Sequence, residues 1–112
     1  MDVMSYLMGK NAGSGGGGGG IPTLDTGTID MSTLDYGAYI VQGNTNLKYG
    51  ATTYFDSNYG GTLMISDNNG SKGYVYLNCY GVDSPGLTIH YGFTGNDKNA
   101  KHYSYTVPGT SA

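Results

Sequence analysis

Apolar and polar residues alternate along most of the chain after residue 37, and this alternation predicts β-strands. We predict strands at residues 38–42, 52–55, 61–66, 73–80, 86–93 and 102–107. Short strands at regular spacing, separated by turn signals, are typical of antiparallel β folds. The sequence therefore predicts an all-β protein, a small antiparallel β-sandwich or barrel-like domain.

Turn-forming residues separate the later strands. The residues 67–70, Asp-Asn-Asn-Gly, predict a tight hairpin, and the residues 83–86, Asp-Ser-Pro-Gly, predict a second turn. The polar residues 95–99 predict an exposed loop before the last strand. These connections are short, so we expect consecutive strands to lie side by side.

The alternation groups side chains into faces. Tyr74, Tyr76 and Tyr80 share one face of their strand, opposite Val75, Leu77 and Cys79. We expect the inward aliphatic side chains to be Ile40, Leu63, Ile65, Val75, Leu77, Leu87, Ile89 and Val107. The three tyrosines then form an outward interaction face, which would pack against another subunit or contact a glycan, unless it is an ordinary half-exposed sheet face.

The chain begins with an apolar segment that stands apart from this β pattern. Residues 1–10 have the composition of a short amphipathic helix, which is marginal alone in water. Methionine adapts well to binding surfaces. We predict a docking peptide, the alternative being a frayed terminus. Its anchoring side chains would be Val3, Met4, Tyr6, Leu7 and Met8.

Residues 11–36 connect this peptide to the β domain at 37–112. Residues 11–20 include six consecutive glycines and predict a linker, because glycine buries no side chain and loses much entropy on ordering. Residues 21–36 repeat Thr-aliphatic-Asp three times at a period of five, with Leu24, Ile29 and Leu34 as the aliphatic members. A fixed period predicts a repeat structure. We predict a neck lined by these residues between chains, or otherwise an extended connector.

Composition limits the possible functions. The chain has 112 residues, including 21 glycines and 12 tyrosines, and a net charge of −3. It contains neither arginine nor glutamate, so bidentate reading of phosphate or guanine is not expected and nucleic acid is not a predicted partner. No apolar run approaches the ~20 residues of a membrane span. The single Cys79 forms no internal disulfide, which fits assembly in a reducing cytoplasm.

Catalytic and metal-binding patterns are weak. Ser84, His90 and Asp83 suggest a nucleophilic triad only in composition, because no nucleophile elbow or triad spacing accompanies them. Cys and His lack zinc-finger spacing, and the acidic turn at 67–70 does not match a calcium loop. We predict no enzyme activity, no cofactor and no metal. A β domain this small is often stabilised by association, so we expect a homo-oligomer, with a trimer favoured although sequence alone does not fix the number.

The residues 6–10, Tyr-Leu-Met-Gly-Lys, followed by a glycine tract, resemble the N-termini of virion proteins of tailed phages and prophages of gut bacteria. The resemblance implies a head fibre, a decoration protein or a tail-fibre or adaptor component, assembled in the host cytoplasm. It further implies attachment to a capsid or tail protein through residues 1–10, with the β domain projecting and able to contact a host-surface glycan. The alternative is a stand-alone carbohydrate-binding module or adhesin.

Overall fold

The computed structural model describes residues 20–80 and 86–110, which form two β-sheets around a shared core. The strands are β1 (Gly27–Asp30), β2 (Gly37–Gln42), β3 (Thr45–Lys48), β4 (Tyr54–Asp56), β5 (Gly60–Asn68), β6 (Ser71–Tyr80), β7 (Gly86–Phe93) and β8 (Lys101–Pro108). A 3-10 turn, Met31–Thr33, follows β1, and the Asp30 carboxylate caps it by accepting from Ser32 N at 3.0 Å. The predicted all-β fold is confirmed.

The larger sheet has five strands in the order β2-β5-β6-β7-β8, and every neighbouring pair is antiparallel. We call it the large sheet. The small sheet has three strands in the order β1-β3-β4, with β1 parallel to β3. A three-stranded sheet is too narrow to cover a five-stranded one, so part of the large sheet's inner side is not covered by it.

The core lies between the two sheets. Its buried apolar side chains are Met31, Tyr39, Val41, Leu47, Phe55, Leu63, Ile65, Tyr74 and Tyr76. Fully burying one large apolar side chain contributes about 1.5–3 kcal/mol to stability. Three of the nine are tyrosines, and each of their hydroxyls has a hydrogen-bond partner, because an unpaired buried hydroxyl would offset part of that gain.

The hairpin between β5 and β6 matches its prediction. Asn68 pairs with Ser71, which leaves Asn69 and Gly70 as a two-residue loop with φ angles of 54° and 93°. Positive φ at both positions is the geometry of a type I′ turn. The Asp67 carboxylate accepts a hydrogen bond from Gly70 N at 3.0 Å and closes the loop. The exposed loop before β8 is also present, whereas residues 83–85 of the other predicted turn lie outside the described residues.

The predicted outward orientation is wrong for Tyr74 and Tyr76. Tyr74 and Tyr76 are 2% and 0% exposed and belong to the core. The register explains why, because Tyr76 lies opposite Leu63 and Tyr74 opposite Ile65, and cross-strand partners share a face. The backbone of Tyr80 closes β6, and its side chain lies outside the described part.

The same register corrects six of the predicted inward aliphatic residues. Leu63 and Ile65 are buried, as predicted. The remaining six lie on the opposite, outer side of the large sheet, namely Ile40, Val75, Leu77, Leu87, Ile89 and Val107. Alternation identifies which side chains share a face but does not identify which face meets the core.

The segment predicted as a neck pairs with both sheets of its own chain. Its β1 strand pairs with β3, and Thr23 forms a bridge with Ile40. Leu24, Ile29 and Leu34 are partly buried against the core of their own chain, and the neck between chains stays a prediction. The predicted docking peptide, with Val3, Met4, Tyr6, Leu7 and Met8, lies outside the described residues, as does most of the linker.

Candidate functional site

The outer face of the large sheet, the side turned away from the core, carries a continuous area of apolar side chains. We call it the outer face. Its large apolar members are Ile40, Met64, Val75, Leu77, Leu87, Ile89, Tyr91, Phe93, Tyr103, Tyr105 and Val107. Monomeric proteins rarely expose so large a contiguous apolar patch without a function for it.

Strand register arranges these side chains in rows across the sheet. In one row, Met64 lies opposite Val75, Val75 opposite Tyr91, and Tyr91 opposite Tyr103. The rings of Tyr91 and Tyr103 stack with their centroids 5.3 Å apart. Cross-strand neighbours on one face are within van der Waals reach, so the row is a continuous surface.

The next rows extend the same surface. Leu77 lies opposite Ile89 and Ile89 opposite Tyr105. Beyond them Cys79, a free and exposed thiol, lies opposite Leu87. The apolar area therefore extends over most of the length of β6, β7 and β8.

Many of these side chains are open to solvent in the single chain. Tyr105 is 63% exposed, Met64 52% and Tyr103 48%. Among the described residues of the outer face, Lys101 is the only charged one, and it lies at a corner opposite Phe93. A surface with so little charge is poorly suited to permanent contact with water.

Strand β8 gives the clearest indication that the outer face packs against a partner. Its inner residues Ser104 and Thr106 are polar, while its outer residues Tyr103, Tyr105 and Val107 are apolar. All five are exposed in the single chain. A strand at the surface usually turns its polar side to water and its apolar side to a packing partner. The apolar side of β8 has no such partner among the described residues.

A second cluster lies on the inner side, where β7 and β8 meet β4. His90 and His102 stack on Phe55 with ring centroids at 4.4 and 4.8 Å, and their nearest nitrogens, Nδ1 of His90 and Nε2 of His102, are 3.4 Å apart. The Tyr74 hydroxyl lies 2.7 Å from His102 Nδ1. Tyr49 stacks on His102 at 4.8 Å and completes the cluster.

Partial burial shifts the titration of this cluster. Burial lowers the pKa of His90, and the positive charge of a protonated His102 lowers it further. Burial likewise lowers the pKa of His102 and raises that of Tyr74 above its ordinary range. All three effects favour uncharged side chains, so this cluster acts as a polar extension of the core at neutral pH.

The described residues do not assemble the other chemistry considered from sequence. Asp83 and Ser84 lie outside them, so the triad geometry with His90 is not described. Within residues 20–80 and 86–110, no three His, Cys or acidic side chains come together as a metal site. In the same part of the chain, no helix is both long and apolar enough to cross a bilayer.

Sequence reasoning missed the residues that form the outer face. Alternation in the sequence places Leu87, Ile89, Tyr91 and Phe93 on one side of β7, and Tyr103, Tyr105 and Val107 on one side of β8. It did not indicate which side faces the core, and Leu87, Ile89 and Val107 were expected to point inward. The other sides of β7 and β8 carry polar residues, which are compatible both with solvent and with the edge of the core. The side that faces the core is decided only by the register of β6 with β5 and of β7 with β6.

Comparisons with known proteins leave this surface as the main guide to function. No protein-family model matches the chain, and no curated protein or solved structure does so either.

Proposed function

We propose that this chain is a structural component of a phage-type virion, in which the β domain self-associates through the outer face. Residues 1–10 would attach it to a capsid or tail protein, as a head fibre, decoration or tail-fibre or adaptor component. The observation that supports the proposal is the uncovered apolar area of the outer face. The apolar start, the glycine tract and their resemblance to virion proteins supply the rest.

The dimensions of the outer face suit a specific protein interface. Five strands spaced about 4.8 Å apart, each with roughly eight residues at about 3.4 Å, give a face of roughly 24 by 27 Å. The projected area is then about 650 Å², and side-chain relief increases the accessible area. Specific interfaces bury about 800 Å² per partner.

A second copy of this chain is the occupant that fits best. Flat sheets pack face to face at about 10 Å through interdigitating apolar side chains. The outer face is nearly uncharged, so copies of an acidic chain meet there without strong repulsion, and Lys101 stays at the corner. A partner that recognises charge would find little to pair with.

The attachment peptide would leave the domain from an edge of the large sheet. Ile40 N donates to Pro22 O at 2.8 Å, and Leu24 N donates to Ile40 O at 2.9 Å, which holds the chain after Gly20 beside β2. Strand β2 lies at the opposite edge from β8. Ten linker residues extended at about 3.1 Å each reach ~30 Å, so the peptide can bind a particle surface away from the domain.

Particle incorporation tests the function. Replacing Leu7 and Met8 by Ser should abolish incorporation into purified particles while leaving the thermal unfolding of the β domain unchanged. Replacing Ser5 by Ala serves as the matched control, because it lies in the same peptide but is not one of its anchoring residues. Full incorporation of the Leu7→Ser, Met8→Ser variant would contradict attachment through this peptide.

A further inference from the structure

Two tight turns lie side by side at one end of the domain and form a site distinct from the outer face. Gly43 and Asn44 link β2 to β3, and the residues 57–59 link β4 to β5. Asn44 N donates to Asn58 O at 3.1 Å and joins the turns. A side chain at Gly43 would approach Asn58 O at 2.8 Å, so glycine permits this close contact.

Tyr59 stands between two clefts at this end. Its side chain is 86% exposed, the most exposed large apolar residue in the described part of the chain. One cleft, of about 430 Å³, is lined by Gly43, Asn44, Asp56, Asn58 and Tyr59. The other, of about 190 Å³, is lined by Asn58, Tyr59, Asn78 and Thr88. Apart from the tyrosine ring, the side chains lining both clefts are polar.

Buried hydrogen bonds hold the turn that carries Tyr59. Ser57 is fully buried, and its hydroxyl donates to Gln42 O at 2.7 Å and accepts from Thr45 N at 3.0 Å. Its carbonyl accepts from Tyr76 at 2.8 Å and from Asn78 Nδ2 at 2.9 Å. The turn that carries the exposed ring is therefore held in place by hydrogen bonds. A ligand would not pay the entropy of ordering this turn on binding.

Asn44 and Asn58 both have φ of 59°, the left-handed conformation that asparagine adopts readily in tight turns. One feature of this end has no structural role within the described residues. Asn78 is 2% exposed, and its Oδ1 has no hydrogen-bond partner among the described residues. A buried polar atom without a partner is rare in proteins, and this residue lines the second cleft.

We propose that the Tyr59 clefts bind a neutral saccharide. A sugar ring has a C–H face that stacks on an aromatic ring and hydroxyls that both donate and accept hydrogen bonds. Tyr59 offers the aromatic face. The amides of Asn44 and Asn58 both donate and accept, while the Asp56 carboxylate accepts. An apolar platform with a few placed polar groups is the usual composition of a small-molecule site.

The charge of the site selects the ligand. Asp56 is the only ionised side chain that lines either cleft, so phosphate groups and acidic sugars are disfavoured. A cation would find one carboxylate, one oxygen of which already accepts from Asn58 N at 2.6 Å. A hydrophobic ligand would leave the asparagine amides unpaired. Neutral hydroxyls satisfy all of these groups.

Nuclear magnetic resonance titration of the full chain tests this assignment. The probes are glucose, galactose, mannose and N-acetylglucosamine, with N-acetylneuraminic acid as the acidic comparison. We expect a neutral sugar to bind with Kd of about 1 mM and to shift the resonances of Asn44, Asn58 and Tyr59. Tyr59→Ala should weaken that binding at least tenfold, whereas Tyr54→Ala, which removes an exposed tyrosine of β4 that lines neither cleft, should not.

Two further variants separate binding from folding. Asn44→Gly and Asn58→Gly keep the left-handed backbone and remove the amide, so each should weaken binding at least threefold without lowering the melting temperature. Failure of all four neutral sugars to bind at 20-fold this Kd would overturn the proposal, as would tighter binding of the acidic sugar or shifts confined to the outer face. No residue that lines the clefts belongs to the outer face, so the result is independent of self-association.

Discussion

At the residue scale, the side chain of Tyr76 shows what orients β6. Its ring is fully buried, and its hydroxyl donates to Ser57 O at 2.8 Å. Burial raises the pKa of this phenol to about 12, although the hydrogen bonds around it act in the opposite direction. A tyrosine can therefore occupy the core when a backbone carbonyl accepts a hydrogen bond from its hydroxyl. That carbonyl belongs to a turn about 20 residues earlier in the sequence, so no local pattern predicts it.

Removing this hydroxyl tests its contribution. We expect Tyr76→Phe to lower the free energy of unfolding by about 1 kcal/mol, the usual net value of one buried hydrogen bond, because Ser57 O keeps its bond from Asn78. Urea denaturation measures the change. Tyr54→Phe, at a 56% exposed position, is the control and should change stability little. Equal stability of Tyr76→Phe and the native chain would contradict the role assigned to the hydroxyl.

The paired histidines predict a pH dependence of stability. In the folded chain, burial lowers the pKa of His90 and of His102 below the ordinary value near 6.5. The unfolded chain therefore binds more protons once the pH falls below ~6.5, and stability decreases from there downward. We expect the melting temperature to fall between pH 7 and pH 5.

A shape-conserving variant isolates the histidine contribution. His90→Phe keeps a ring against Phe55 and removes one titrating group, so its melting temperature should fall less over the same pH range. The carboxylate of Asp97 does not interfere, because hydrogen bonds from Thr52 lower its pKa below the ordinary value of an aspartate, outside this range. Identical pH profiles for the variant and the native chain would exclude His90 as the source.

At the element scale, turn residues predict which strands pair better than the pattern of apolar residues does. Asn69 and Gly70 close the β5–β6 hairpin with the backbone angles that the sequence predicts. We expect Gly70→Ala to destabilise the fold by about 1 kcal/mol, because alanine is disfavoured at φ of 93°. Asn69→Gly, which is compatible with its turn angle, should cost less. Calorimetric unfolding compares the two, and a harmless Gly70→Ala would argue against this turn.

The elements that sequence missed are the short ones. The predicted strand at residues 86–93 matches β7 at both ends, whereas β1 and β3 were not predicted. Strand β3 has only Leu47 as an apolar residue and β1 only Ile29. Four residues carry too little alternation to indicate a strand. Strand β1 pairs with β3 across about 18 residues of sequence, which is long-range information that no local pattern carries.

At the scale of the whole molecule, the two faces of the large sheet have different partners. The inner face meets the small sheet where that sheet reaches, and is polar on β8 beyond it. The outer face is apolar over most of the length of β6, β7 and β8, and meets no part of the described chain. Strand β6 is apolar on both sides, as in strands that are buried on both faces. A single copy buries only one of them.

Charge placed on the outer face should prevent association. We expect the double variant Ile89→Lys, Tyr91→Lys to give single chains that keep the β circular-dichroism spectrum of the native chain, because repulsion and desolvation oppose burial of the lysines. Thr28→Lys, at an exposed position on β1 of the small sheet, adds charge elsewhere and should leave association intact. Native-like association of the double variant would remove the outer face as the interface.

The most direct test of self-association is the solution mass of the full-length native chain by sedimentation equilibrium at micromolar concentration. The account predicts a mass of at least twice 11.7 kDa, because one outer face must meet another to be covered, and predicts that Cys79 reacts with maleimide more slowly as concentration rises. A mass of 11.7 kDa at every concentration, with constant Cys79 reactivity, would contradict it.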